Sequence, residues 1–125
     1  MRHLIVVISL YLVSCAGVPS NVKPVSNFEL NRYLGEWYEI ARVDHWFERD
    51  LEQVKATYSL KDDGTVKVVN RGYSVKKSKW KEAVGKAKFA NDSSTGYLKV
   101  SFFGPFYGPY VIYELDKQNL SLIHI

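Results

Sequence analysis

The chain offers few groups for acid–base, nucleophilic or metal chemistry. Its three histidines, His3, His45 and His124, stand too far apart for a local metal-binding motif, and its single cysteine excludes a multi-cysteine zinc or iron–sulfur site. His45 follows Asp44, but no motif places a serine with this pair, so the Ser-His-Asp arrangement of nucleophilic catalysis is not indicated. We therefore predict a protein that is not an enzyme and that uses no metal or cofactor.

The single cysteine, Cys15, stands where a lipid could be attached. A basic start at residues 1–3 is followed by an uncharged run at residues 4–13 (LIVVISLYLV). At ~1.5 Å per residue this run would reach only ~15 Å, too short for a hydrocarbon core of ~30 Å, so residues 1–14 have the layout of a signal peptide. Ser14-Cys15 resembles a bacterial lipobox, in which the cysteine sulfur is diacylglycerylated and becomes the mature N-terminus. The alternative is a plain secretory signal with an incidental cysteine.

Residues 15–27 are predicted to form a lipidated N-terminus and an extended tether, because they contain two prolines and no hydrophobic periodicity. Two or more acyl chains hold a protein on a bilayer where one does not. Ala16 follows the cysteine, where aspartate would favour the inner membrane in bacterial lipoproteins. The resemblance thus implies the outer membrane as partner through lipidated Cys15, with the folded domain facing the periplasm.

The composition is that of one ordinary globular domain. The 125 residues are 46% hydrophobic and 24% charged, which excludes wholesale disorder and leaves little room for a second domain. A formal net charge of +4 falls short of a nucleic-acid-binding signature, so no nucleic-acid partner is expected.

Short strands and turns follow the tether, within a domain predicted at residues 28–119. The Val54-to-Leu60 segment alternates apolar and polar residues, and Asp62-Asp63-Gly64 then supplies a tight hairpin turn. Consecutive hairpins of this kind predict an all-β, antiparallel, up-and-down meander that closes into a barrel to remove its edges. Six strands are predicted, at residues 35–43, 54–60, 65–73, 80–89, 97–103 and 110–115.

One face of the predicted sheet mixes very small side chains with aromatic ones. Such a mixture leaves room for a guest, whereas a solid core needs larger residues throughout. The candidates on this face are Val54, Ala56, Tyr58, Val68, Asn70, Ala83, Val100 and Phe102. The amide of Asn70 could orient a ligand head group, or it could bond a neighbouring tyrosine or water.

The stretch at residues 35–42 (GEWYEIAR) contains Gly35-Glu36-Trp37, the Gly-x-Trp signature of the lipocalins. It is followed by residues 56–60 (ATYSL), by Asp63-Gly64, and by residues 98–108 (LKVSFFGPFYG). In that order and spacing, residues from about Asn27 to about Asp116 closely resemble the bacterial outer-membrane lipoproteins of this family.

The resemblance implies an eight-stranded antiparallel barrel that holds a lipophilic small molecule, here a fatty acid or lysophospholipid. Trp37 would plug the closed end, and Gly35 would let the preceding chain cross beneath it. Tyr110 and Ile112 would join the pocket wall, while Arg42 and Arg49 at the open end would meet a carboxylate or phosphate. Ordinary solvated or salt-bridged surface roles are the alternative for each arginine.

The end of the sequence departs from the family pattern. Two further strands would be needed after Leu115, so the domain is predicted to be C-terminally truncated, with unpaired edges near Trp37 and Ile112. Residues 120–125 (LSLIHI) look like the translation of a sequencing-library adapter, and a genuine seventh strand is the alternative.

Two other functions stay open beside lipid carriage: a structural envelope lipoprotein that holds no ligand and, less favoured, an enzyme acting on lipid. A basic patch of Lys76, Lys77, Lys79 and Lys81 surrounds Trp80. It would either face anionic lipid head groups or form a solvated hairpin tip. The oligomeric state is not indicated by the sequence.

Overall fold

Antiparallel strands form one curled sheet in the computed structural model, which describes residue 18 and residues 21–43, 49–116 and 119–124. Cys15, the predicted signal peptide and the Asp44-His45 pair lie outside these residues. One short helix, α1 (Leu30–Tyr33), precedes the sheet. The strands are β1 (Gly35–Tyr38), β2 (Leu51–Leu60), β3 (Val66–Ser74), β4 (Lys79–Phe89), β5 (Tyr97–Phe103), β6 (Phe106–Asp116) and β7 (Leu120–His124).

The strands follow one another in space as they do along the chain. The sheet has the order β1-β2-β3-β4-β5-β6-β7, and each strand pairs antiparallel with the next. This topology confirms the predicted all-β, antiparallel meander.

The hairpin between β2 and β3 shows how local chemistry sets the register. Gly64 adopts φ +86°, a left-handed conformation that glycine accepts without a Cβ clash. The Asp63 carboxylate accepts hydrogen bonds from the Thr65 amide at 2.9 Å and from the Thr65 hydroxyl at 2.6 Å. The turn thus places Tyr58 opposite Val68, so both side chains face the same side of the sheet.

Three element boundaries differ from the sequence prediction by more than one residue. β1 ends at Tyr38 instead of residue 43. β2 begins earlier, at Leu51, because a bulge between Glu52 and Lys55 lets the strand continue past an irregular residue. β6 begins at Phe106, since Gly104-Pro105 alone make the turn that was predicted to extend to Pro109.

The sequence prediction of six strands is also one short. Residues 120–124 form β7, whose Ile123 pairs with Ile112 of β6, so the edge predicted near Ile112 is covered. Their apolar alternation satisfies a strand whatever the origin of the segment, and the adapter origin stays a prediction.

One end of the curled sheet is closed by the segment that enters it. The Val25 amide donates to the Ile112 carbonyl at 2.8 Å, and the Gly96 amide donates to the Val25 carbonyl at 2.9 Å. α1 then crosses the interior and delivers Tyr33 into the core. The core residues under this segment are Phe28, Tyr33, Tyr58, Val66, Val68, Ala87, Leu98 and Ile112.

Gly35 gives the chain its change of direction from α1 into β1. Its φ is +110°, while no atom lies within 4 Å of the position a Cβ would take. We therefore expect Gly35→Ala to lower the free energy of unfolding by more than about 1 kcal/mol through backbone strain alone. Urea unfolding of the full chain, followed by tryptophan fluorescence, measures the loss.

Gly108→Ala is the matched control, because Gly108 also has open space at its Cβ position and lacks a left-handed φ. It should change the free energy of unfolding by no more than about 0.5 kcal/mol. Equal losses in the two variants would show that Gly35 has no special conformational role.

Candidate ligand-binding site

Trp37 and Tyr33 form the floor of the barrel interior. Their rings stack with centroids 4.7 Å apart and planes 28° from parallel. The Trp37 indole N–H also donates to the Tyr33 carbonyl at 2.7 Å, which ties β1 to the end of α1. Trp37 is half-buried and packs against the core, so in this structure it supports the floor.

Three tyrosine hydroxyls meet inside the barrel above this floor. The Tyr110 hydroxyl lies 2.9 Å from that of Tyr33 and 2.8 Å from that of Tyr58. The Tyr33 hydroxyl also lies 3.0 Å from the Ser121 hydroxyl of β7. The network joins α1, β2, β6 and β7, and each buried hydroxyl gains a partner that offsets its loss of water.

Burial keeps these phenols neutral. Desolvation is the largest cause that raises the pKa of Tyr33, of Tyr58 and of Tyr110 above the usual value, most strongly for Tyr58 and Tyr110. The hydroxyls therefore act as hydrogen-bond partners of each other and stay protonated at neutral pH.

The interior next to the floor is almost filled. The enclosed hollow there has a volume of about 20 Å³, roughly the room for one water molecule. Of the predicted ligand-binding residues, the structure brings four to this hollow: Tyr58, Val68, Val100 and Tyr110. Phe28, Leu30 and Tyr33, which sequence reasoning did not select, occupy the same space.

The inner face becomes open toward the other end of the sheet. Trp37 pairs with Ala56, Ala56 with Asn70, and Asn70 with Ala83, which makes one row across four strands. Val68, one row nearer the floor, is buried, whereas Ala56 and Asn70 are half-buried and Ala83 is exposed. These small side chains form a solvent-accessible trough above the filled floor.

Phe102 and Val54 line this trough from opposite sides. A Cβ on Gly85 would lie 2.7 Å from the Phe102 ring, so the ring rests directly on the Gly85 backbone. A Cβ on Gly72 would lie 3.2 Å from a methyl carbon of Val54. Each glycine therefore makes room for a larger side chain from another strand.

Ile112, by contrast, is fully buried in the core. Its amide donates to the Gly96 carbonyl and its carbonyl accepts the Val25 amide. In this position Ile112 supports the closed end and does not line the trough.

Two lysines that sequence reasoning assigned to a surface patch belong to the inner face. Lys81 pairs with Gly72, and Lys79 pairs with Ser74, in the same alternation that places Ala83 inward. Trp80 between them points outward, where its ring lies 5.4 Å from the Tyr73 ring and 4.8 Å from the Arg71 guanidinium. Continuing the period of two back from Ala83 would have found both lysines.

The Asp50 carboxylate fixes the turn beside these lysines. It accepts the Ser74 hydroxyl hydrogen and the Lys76 amide hydrogen. These hydrogen bonds, with that from Ser74 the larger cause, lower the pKa of Asp50 below its usual value. Asp50 therefore stays ionised and holds the start of β2 to the turn after β3.

The two arginine candidates lie in different settings. The Arg42 guanidinium binds the Glu39 carboxylate at 2.8 Å and the Leu51 carbonyl at 2.8 Å, so it links the end of β1 to the start of β2. Arg49 is exposed in the turn before β2. The head-group role of either arginine stays a prediction.

A second hollow lies outside the barrel, between the N-terminal segment and β6. It has a volume of about 610 Å³ and is lined by polar residues such as Lys23 and Arg32 together with Tyr113 and Leu115.

Among residues 21–43, 49–116 and 119–124, no three metal-ligating side chains come together. Within the same part of the chain, no helix has the length and apolarity needed to cross a bilayer.

Residues 28–124 match the protein family described as the Lipocalin-like domain. The chain is therefore a member of the lipocalin family. Insecticyanin of the tobacco hornworm, Manduca sexta, has the same fold, with a TM-score of 0.72 at 24% identity over 86% of this chain and 59% of that one.

Bacterial relatives are much closer in sequence. The outer membrane lipoprotein Blc of Vibrio cholerae is 61% identical over 122 residues, which cover 97% of this chain and 71% of that protein. Blc of Escherichia coli K12 is 51% identical over 109 residues, which cover 86% of this chain and 62% of that protein. The family resemblance predicted from the sequence is thus confirmed, and the chain spans about two thirds of the length of these relatives.

The tyrosine network predicts a loss of stability at high pH. A phenol whose pKa is raised in the folded state holds its proton there after the unfolded chain has lost it, so stability falls once the pH passes the unfolded value of ~10. We expect the urea midpoint of the wild type to drop more steeply above that pH than the midpoint of Tyr58→Phe, which lacks one raised phenol.

At neutral pH the same variant should be less stable than the wild type by about 1 kcal/mol, because the Tyr110 hydroxyl loses a partner. Tyr107→Phe removes a phenol that lies outside this network and serves as the control. Parallel pH profiles for all three proteins would contradict the role assigned to the network.

Proposed function

We propose that this lipocalin binds a fatty acid or lysophospholipid in the bacterial envelope and is held at the outer membrane through lipidated Cys15. The observation that carries the proposal is the trough of small side chains at Ala56, Asn70 and Ala83, open to solvent above a filled, tyrosine-lined floor. The names of the Vibrio and Escherichia relatives support the membrane part.

The acyl chain is proposed to lie along the trough between Phe102 and Val54. Both side chains are apolar and partly exposed, so a guest would remove their surface from water. Burial of each CH₂ contributes about 0.8 kcal/mol before ordering costs, which makes a long aliphatic chain a suitable guest. The filled floor sets the depth that the chain can reach.

The head group is proposed to sit at the mouth, close to Lys79 and Lys81. Both are inward-facing by register and carry ammonium groups that attract a carboxylate or phosphate. Asn70 would add a neutral donor one step deeper in the trough. Arg42, already bound to Glu39 and Leu51, is proposed to shape the mouth.

The small enclosed volume favours a second candidate, a structural envelope lipoprotein that holds no ligand. The hollow of about 20 Å³ is too small for an acyl chain, so a guest could lie only in the open trough. Mass spectrometry of lipid that copurifies with the protein separates the candidates: near-stoichiometric lipid supports the carrier, and none supports the structural role. We propose binding without catalysis, in keeping with the lipocalin family.

A charge placed in the trough should block acyl binding. Ala83→Glu puts a carboxylate on the inner face, and displacing two buried methylenes at about 0.8 kcal/mol each already weakens binding by about tenfold. We expect at least this loss in a titration with a fluorescent fatty acid such as cis-parinaric acid.

Val84→Glu is the matched control, because Val84 is the next residue of β4 and is exposed on the outer face. It should bind the probe as the wild type does. Equal affinity of both variants for the probe would contradict the assignment of the trough as the acyl site.

The lysine pair should select for charge. We expect Lys79→Ala/Lys81→Ala to weaken binding of a fatty acid several-fold while leaving the affinity for the uncharged monoacylglycerol of equal chain length unchanged. Lys61→Ala/Lys67→Ala removes the same charge at the closed end and on the outer face. If this control pair weakens fatty-acid binding equally, the effect is one of net charge and the head-group assignment fails.

A further inference from the structure

Exposed apolar side chains collect at the end of the sheet where the trough opens. In this meander the connections β1–β2, β3–β4 and β5–β6 lie at the open end, and the others lie at the closed end. The apolar residues in these connections and at the strand ends beside them are strongly exposed, at 84% for Ile40, 80% for Val43, 51% for Val75, 79% for Phe103 and 76% for Phe106. We refer to these five residues as the apolar rim.

The turns at the closed end have the opposite chemistry. Residues 61–65 (KDDGT) and 90–96 (ANDSSTG) contain no apolar residue larger than alanine. They carry the carboxylates of Asp62, Asp63 and Asp92, and hydrogen bonds from neighbouring hydroxyls and amides lower the pKa of Asp63 and of Asp92. Leu60 at 53% and Leu120 at 47% are exposed at strand ends beside the closed-end turns, so among the described residues the large apolar side chains that are more than 75% exposed lie at the open end.

Positive charge accompanies the apolar rim. Lys76 and Lys77 lie in the β3–β4 turn beside Val75, and Lys79 and Lys81 follow at the start of β4. The acidic groups facing them are partly neutralised: Glu39 binds Arg42, Glu82 lies 3.7 Å from Arg71, and Asp50 accepts the Lys76 amide hydrogen. With the Glu39–Arg42 and Glu82–Arg71 pairs set aside, the described residues of this end carry four lysines against the carboxylates of Asp50 and Glu52, so they have an excess of positive charge.

We propose that the apolar rim docks on an anionic lipid bilayer, with the trough opening toward the lipid. Aromatic and aliphatic tips flanked by lysines suit a bilayer interface, where apolar groups enter the acyl boundary and ammonium groups meet phosphates. The docking surface rests on the proposed function, because a carrier of acyl lipid gains a direct path between its site and the membrane.

The length of the tether agrees with this orientation. Val25 is fixed at the closed end, and the ten Cα-to-Cα steps from Cys15 to Val25 span at most ~33–36 Å. The eleven residues of β4 run ~36 Å along the strand, which is ~28 Å along a barrel axis at the usual strand tilt. A lipid on Cys15 can therefore enter the same bilayer that the rim touches.

Depth-dependent fluorescence quenching of the lipidated chain tests the orientation. The protein is reconstituted in vesicles of phosphatidylethanolamine and phosphatidylglycerol that contain a spin-labelled lipid, with bimane attached at Phe103→Cys or, as matched control, at Leu60→Cys. Leu60 is 53% exposed and ends β2 at the closed end. We expect several-fold stronger quenching at position 103, whereas equal or reversed quenching would overturn the docking surface.

A charge-reversal pair tests the anionic character of the surface. Lys77→Glu/Lys79→Glu, placed in the Phe103→Cys background, should lower the quenching. Vesicles of phosphatidylcholine alone should lower it as well. The control pair Lys61→Glu/Lys67→Glu should leave the quenching unchanged. If lysine reversal leaves the quenching unchanged, the assignment of an anionic surface is overturned. Absence of quenching at both labels, with a dimer in sedimentation, would assign the rim to a second copy of the chain instead.

Acyl binding separates this inference from the proposed function. Val43→Ser/Val75→Ser, placed in the Phe103→Cys background, should lower the quenching yet bind cis-parinaric acid with wild-type affinity, because both residues lie in connections outside the strands that form the trough. Loss of docking with retained probe binding supports the rim. A wild type that docks but binds no probe would reject the carrier function and leave the membrane contact standing.

Discussion

The whole arrangement depends on the placement of one side chain, Tyr33, inside the curled sheet. Its ring stacks on Trp37 and its hydroxyl reaches Tyr110 and Ser121, which are 77 and 88 residues further along the chain. A sheet with a free strand at each end exposes two unpaired edges. Tyr33 links β1, the strand at one edge, to β7, the strand at the other, so the closed end is held together without a hydrogen-bonded seam between these two strands.

Much of this fold can be predicted from the sequence wherever one face of a strand is exposed to solvent and the other is buried. Alternation located β2 to β5 within a few residues, and Asp63-Gly64 gave the hairpin its turn. Prediction failed at Gly108 and Pro109, whose residue types are typical of turns. In the structure both pair with β5, opposite Val100 and Lys99, because the turn is completed earlier at Gly104-Pro105.

The candidate site was less accessible to sequence reasoning, and the reason is register. The alternation that placed Ala56, Asn70 and Ala83 on one face is local, and the structure puts these three residues in one row. The contact of Phe102 with Gly85 depends on how β4 slides against β5, which no local pattern records. The same holds for the Tyr33 hydroxyl, since its partners lie in distant strands.

Stability and binding are assigned to opposite ends of the same strands. β3 buries Val66 and Val68 at 3% exposure each, whereas Asn70, two residues further on, is half-buried beside the exposed Ala83 of β4. Because the floor is already packed and hydrogen-bonded, the proposed acyl guest would enter or leave the trough without opening the core. The small side chains at the open end cost packing energy that the aromatic floor must offset. This division places Tyr33, Tyr58 and Tyr110 toward the closed end, and Ala83, Lys79 and Lys81 toward the open one.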